Sequence, residues 1–170
     1  QSIPFICSVT SPAHERLYRW FGANIVLTDP DFILAGIPCT TDDYAENFGK
    51  IGVTYEAGWM EDVSGKDRTL QAIFSILAQE GLIAPIDSLP PALPTKKYQL
   101  TEAVILTSDS FSFAPGFGTH TFQNVTPENC IATMDSTPIY PKEKSVIIFP
   151  KIPALWIICK PVCYLAREIK

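Results

Sequence analysis

"IGVTYEAGWMEDVSGKDRTLQAIFSILAQEGLI", residues 51–83, reads as a short strand, a loop and a long helix. Val53 and Tyr55 suit one face of a strand and Thr54 the other, and Ala57-Gly58 just beyond are small enough for another segment to approach the backbone closely. Glu56 stands between them, a carboxylate where a buried strand should be ending. The helix is expected to begin at Ser64, with Asp67 three residues on in the manner of a capping box, and to end at Gly81. Leu70, Ile73, Phe74 and Leu77 fall at spacings of three and four, which predicts a single apolar stripe turned toward a sheet. Strand followed by helix is the unit of an α/β fold.

The same rhythm runs back toward Gln1. Phe5 to Val9 has strand composition; Ser11-Pro12 opens a helix carrying Leu17, Trp20 and Phe21 that stops at Gly22; Asn24 to Leu27 is strand-like again. After a stretch rich in Asp and Pro, Thr40-Thr41-Asp42-Asp43 is expected to cap a short helix ending near Gly49. Beyond residue 84 the character changes. Pro85, Pro90, Pro91 and Pro94 exclude a helix and read as a linker. After it come short strand signals at Leu100 to Leu106, Cys130 to Met134, Ser145 to Phe149 and Val162 to Ala166, with a Pro115-Gly116-Phe117-Gly118 turn and no helical periodicity. The expected organisation is therefore an α/β portion over 1–84, a Pro-rich linker over 85–96 and a small all-β domain over 97–170.

Composition sets limits on function. With 170 residues, 46% hydrophobic and 18% charged, the chain is long enough to bury a core. A formal charge of −5 gives no basic stripe for phosphates, so neither nucleic acid nor an anionic membrane surface is an expected partner. No apolar run approaches the roughly 18 residues needed to span a bilayer. Five cysteines, odd in number and mostly inside apolar runs, read as reduced core thiols of a cytoplasmic protein, Cys159 and Cys163 among them.

The chemistry that the residues allow is narrow. G-x-S-x-G, the P-loop and G-x-G-x-x-G are all absent. A hydrolytic zinc site needs three protein ligands, and the two histidines, His14 on a helix and His120 in a turn, stand in no ligand motif and in different halves. No metal site is expected from this segment's own residues. Glu56 is the candidate acid/base, and Trp59, Met60 and His120 are the candidate rim of a substrate pocket, because active sites of α/β sheets gather at carboxyl ends of strands.

The order of these features resembles the succinylglutamate desuccinylase and aspartoacylase family of zinc-dependent deacylases, related in fold to zinc carboxypeptidases. Thr54-Tyr55-Glu56-Ala57-Gly58 looks like that family's T-x-E-x-G strand, with its loop and long helix following. "YQLTEAVILTSDSFSFAPG" (98–116), "IYPKEKSVIIFPK" (139–151) and "KPVCYLARE" (160–168) are similar to its β-domain. The resemblance implies a zinc-carboxypeptidase-like mixed sheet with flanking helices, and Glu56 as the carboxylate that takes a proton from a zinc-bound water and returns it to the leaving amine. It implies zinc ligands upstream of residue 1, since the family's H-x-x-E pair and later histidine have no match between Gln1 and Glu56, so the chain is expected to be the carboxyl-terminal portion of such an enzyme, inactive alone. Its partners are then the missing amino-terminal portion and a small N-acyl amino acid or similar amide. The family's substrate-binding arginine has no counterpart in Asp42 to Gly49, which leaves the acyl group open. The alternative is a non-catalytic binding or regulatory protein on a degenerate deacylase scaffold.

Overall fold

The computed structural model describes residues 3–31, 33–34, 40–58, 62–86 and 92–170. Trp59, Met60, Glu61, Cys39 and the centre of the Pro-rich stretch, 87–91, lie outside the described residues. The chain separates into two units, the first comprising Gln1–Pro30, Ile37–Tyr98 and Lys170, the second Asp31–Gly36 and Gln99–Ile169.

The first unit is α/β. Strand β1 (Phe5–Cys7) leads into helix α1 (Pro12–Tyr18), capped by the Ser11 side chain with Pro12 at the first helical position. Strand β2 (Ile25–Thr28) returns parallel to β1, pairing Ile6 with Val26. Helix α2 (Thr41–Asn47) starts from a complete capping box: Thr40 accepts from the Asp43 N–H while the Asp43 carboxylate accepts from the Thr40 N–H. Gly49, at φ +67°, takes the left-handed turn that ends it. Strand β3 (Thr54–Glu56) pairs antiparallel with β1, and helix α3 (Val63–Gln79) follows. The core gathers Ile6, Tyr18, Ala23 and Val26, with Phe21, Val53 and Tyr55 packed against them. Strand β4 (Lys96–Ile105) enters beside β2, its first N–H donating to the Asn24 carbonyl at 3.0 Å.

Two expectations for α3 are corrected. Its N-cap is Asp62, not Ser64: the Asp62 carboxylate accepts from both the backbone N–H (3.1 Å) and the hydroxyl (2.5 Å) of Ser64, so the helix begins at Val63, before the Asp67 register comes into play. Nor does the Leu70-Ile73-Phe74 stripe face the sheet. The buried positions are Gly65, Ala72 and Ser75, about half a turn away round the helix, while Phe74 is 47% exposed and Val63 77%. Close helix docking selects the small-residue face, because Gly65 sits where even a Cβ would come within 3.0 Å of the Ala57 carbonyl oxygen. Phe74→Gln is accordingly expected to shift stability by no more than about 0.5 kcal/mol. Ala72→Leu, on the fully buried face, is expected to cost about 1–3 kcal/mol by overpacking. Urea midpoints of the two variants check this.

The second unit is all-β apart from a 3₁₀ turn at Pro153–Leu155. Besides the later part of β4 it holds β5 (Phe111–Phe113), β6 (Gln123–Val125), β7 (Ala132–Met134), β8 (Thr137–Ile139), β9 (Ser145–Ile148) and β10 (Pro161–Ile169). One sheet runs β4-β10-β9-β6, with Leu165 opposite Ile147 and Ile147 opposite Gln123; the other is the antiparallel β5-β7-β8. Ile131, Ile147, Val162 and Cys163 are fully buried in its core, over which Phe111 and Trp156 meet edge to face, ring centroids 5.0 Å apart. Cys163 is a core thiol, but Cys159 is not: it is exposed, at φ +64°, in the turn before β10, where the chain must reverse to bring Lys160 against Leu106. Among the described residues, no helix is long and apolar enough to cross a membrane.

Candidate active site

Glu56 closes β3. The register places it opposite Phe5, with Tyr55 opposite Ile6 and Thr54 opposite Cys7. Because β3 is antiparallel to β1, its carboxyl end lies beside the amino end of β1, so the rule for parallel sheets that led to this residue does not apply to it as stated. The strand ends there for a backbone reason: Gly58 sits at φ +105°, and Ala57 turns its carbonyl toward Gly65 of α3. What the small residues admit is therefore helix α3, where a Cβ at Gly65 would stand 3.0 Å from the Ala57 carbonyl oxygen.

Burial sets the character of the carboxyl. Glu56 is half-buried, and desolvation pushes its pKa above the ordinary glutamate value. Its negative field extends to Cys7, whose thiol is pushed far up, first by burial and then by the charges of Glu56, Asp42 and Asp29. A carboxyl that holds its proton more tightly than an ordinary glutamate is a stronger base when ionised, and so better suited to accepting a proton from water.

The other candidates belong to the second unit or lie outside the described residues. Trp59 and Met60 fall outside the described residues. His120 belongs to the second unit, exposed, with Nδ1 2.9 Å from the Thr119 hydroxyl. Among the described residues no group of three or more His, Cys, Asp or Glu is arranged to hold a metal ion.

One pair escaped the reading of the sequence. His14 is buried, 5% exposed, and its Nε2 lies 2.5 Å from Glu46 Oε1, while its Nδ1 lies 2.8 Å from Ser11 Oγ. Serine, histidine and carboxylate are the residue types of a nucleophilic triad, but Ser11 is occupied as the cap of α1, accepting from the His14 N–H at 3.4 Å. No motif links residues 32 positions apart, so only the fold brings this pair to view.

The mixed α/β fold is shared with solved succinylglutamate desuccinylase structures. A succinylglutamate desuccinylase from Vibrio parahaemolyticus superposes with a TM-score of 0.72 at 22% identity, covering 100% of this chain and 50% of that one. A second from Vibrio cholerae gives 0.72 at 18%, covering 99% and 49%. A succinylglutamate desuccinylase/aspartoacylase from Rhodobacter sphaeroides gives 0.66 at 15%, covering 99% and 54%. The likeness is one of fold, and the chain spans about half the length of these structures. No family model matches the sequence, and no curated protein matches it either.

Proposed function

We propose that this chain is part of a zinc-dependent cytoplasmic deacylase that hydrolyses the amide bond of an N-acyl amino acid or similar small amide, with Glu56 as general base and then general acid. The observation that carries the reading is a half-buried carboxyl of raised pKa closing a strand, in a fold shared with desuccinylase structures. Glu56 accepts the proton of the attacking water; as the tetrahedral intermediate collapses, the same proton passes to the amine nitrogen, so the carboxylate is regenerated.

The described residues do not fit a complete zinc site. The reading therefore places the ligands in a partner portion, the half of the deacylase fold that this chain does not span.

The test is a panel of N-acyl amino acids offered to the intact protein, with release of free amine as the readout. Turnover lost on treatment with a chelator and restored by zinc is the expected result. Zinc content near zero after dialysis against the metal, with no turnover of any member, would overturn it in favour of a binding protein on the same scaffold.

A further inference from the structure

Two segments converge on one oxygen of Glu46, which stands on a third, α2. His14 Nε2 approaches Oε1 from α1 at 2.5 Å, and the Gly52 N–H donates to the same atom at 2.8 Å from the segment leading into β3. The histidine is itself fixed. Ser11 Oγ accepts from the His14 backbone, so its own proton is free to go to Nδ1, leaving Nε2–H to donate to Glu46. This tautomer satisfies both ring nitrogens of a buried imidazole, and losing Glu46 would leave one of them without its partner. The Glu46 carboxyl is correspondingly held below its ordinary pKa, first by the Gly52 N–H and then by His14.

The anchored point is close to Glu56. Gly52 precedes it by four residues, and Gly52 is pressed so tightly against Asp42 of α2 that no side chain fits there. Val53 and Tyr55 then enter the core, Tyr55 meeting Phe21 with ring centroids 5.1 Å apart. On the far side, Ala57 faces Gly65 of α3. A three-residue strand with one pairing neighbour among the described residues has little hold of its own on a terminal side chain.

We propose that His14 and Glu46 are positioning residues, a strut from α1 through α2 to Gly52 that fixes where the Glu56 carboxyl stands at the end of β3. The strut gives Glu56 a defined place by removing backbone freedom upstream of it, so its loss misplaces the carboxyl without altering its chemistry. The catalytic consequence rests on the function proposed above; the mechanical one does not.

The first experiment reads Glu46→Ala in this chain by amide hydrogen exchange and by carboxyl-carbon NMR titration of Glu56. Exchange at residues 52–56 is expected to rise about tenfold or more beyond any rise in β2, the selectivity of a local opening. The Glu56 titration is expected to fall toward the ordinary glutamate range as the segment loosens and water reaches the carboxyl. Glu46→Gln, which keeps an oxygen for the Gly52 N–H, should rescue most of both. Should Glu46→Ala not fold, His14→Gln tests the same link from its other end. Exchange that rises evenly through the unit, with Glu56 titrating as before, would overturn the proposal.

In the intact enzyme, the same variant is expected to lower kcat by roughly ten- to a hundredfold with KM within about twofold, the signature of a misplaced reacting group. The two readings fail separately. If Glu56→Gln leaves turnover unchanged while the exchange and titration respond to Glu46→Ala, the deacylase role falls and the strut stands.

Discussion

Glu56→Gln in the intact protein is expected to lower amide hydrolysis by on the order of 10²–10⁴-fold with little change in KM. The amide has the shape of the carboxyl but takes no proton at neutral pH, so substrate contacts persist while both proton transfers are lost. The pH dependence follows from burial. Glu56 must be ionised to act as base, and desolvation raises its pKa, so the acid limb of kcat/KM should lie above the ordinary glutamate value near 4.3. The same shift fixes the sign for stability. A folded-state pKa above the unfolded one means that the folded protein binds the proton more tightly, so stability is lost as pH rises from the unfolded value through the folded one. The variant escapes that loss. It should melt at a higher temperature than the wild type at pH 7, the difference closing below about pH 4. A gain in stability together with lost turnover would mark a residue held for chemistry at the expense of the fold. Unchanged turnover would return Glu56 to the role of a strand-end residue in a binding protein.

Local chemistry was the legible part of this sequence. Thr40 and Asp43 form their capping box because both partners lie within one turn, and Ser11-Pro12 opens α1 for the same reason. The continuous apolar composition that announces β1, β2 and β10 is also local, and their core residues are buried as that composition predicts. β5, β6 and β8 escaped notice because each is three residues long and stands in no longer apolar stretch, whereas β1, β3 and β7, equally short, lie inside longer strand-like runs. The α3 stripe shows a different limit. Its spacing correctly marks a helix, but periodicity says only that two faces differ. Which face docks depends on how closely the helix must approach, and Gly65 against Ala57 decides that in favour of the small residues. Glu46 lies furthest from view: its partners are 32 residues before it and six after, and only α1, α2 and the approach to β3 folded together make it a meeting point.

The second large effect is expected from a single methyl group. In Gly52→Ala the new Cβ would be driven onto the Asp42 carbonyl oxygen, with that residue's carbonyl carbon and Cα both only 2.6 Å away, where real Cβ atoms essentially never come within 3.0 Å. Backbone on both sides leaves no rotamer to relieve the overlap, so α2 or the chain entering β3 has to move. Overpacking of this kind costs about 3 kcal/mol or more, and at about 2–4 °C for each kcal/mol in a chain of this size the melting temperature should drop by on the order of 10 °C. Gly49→Ala, three residues earlier, separates this from the general cost of replacing glycine. Nothing lies within 4 Å of its Cβ, but its φ of +67° imposes about 1–2 kcal/mol of backbone strain. The position 49 variant should therefore melt only a few degrees lower, and an Asn there should recover part of the loss. At position 52 no residue recovers it, because the obstacle is space and not conformation. The movement also pulls the Gly52 N–H away from Glu46, so the variant should show the fast exchange of residues 52–56 expected of Glu46→Ala. Equal melting temperatures for the position 49 and position 52 variants would mean that α2 does not press on the approach to β3, and the hold on Glu56 would then have to come from its pairing with Phe5 and the core packing of Val53 and Tyr55.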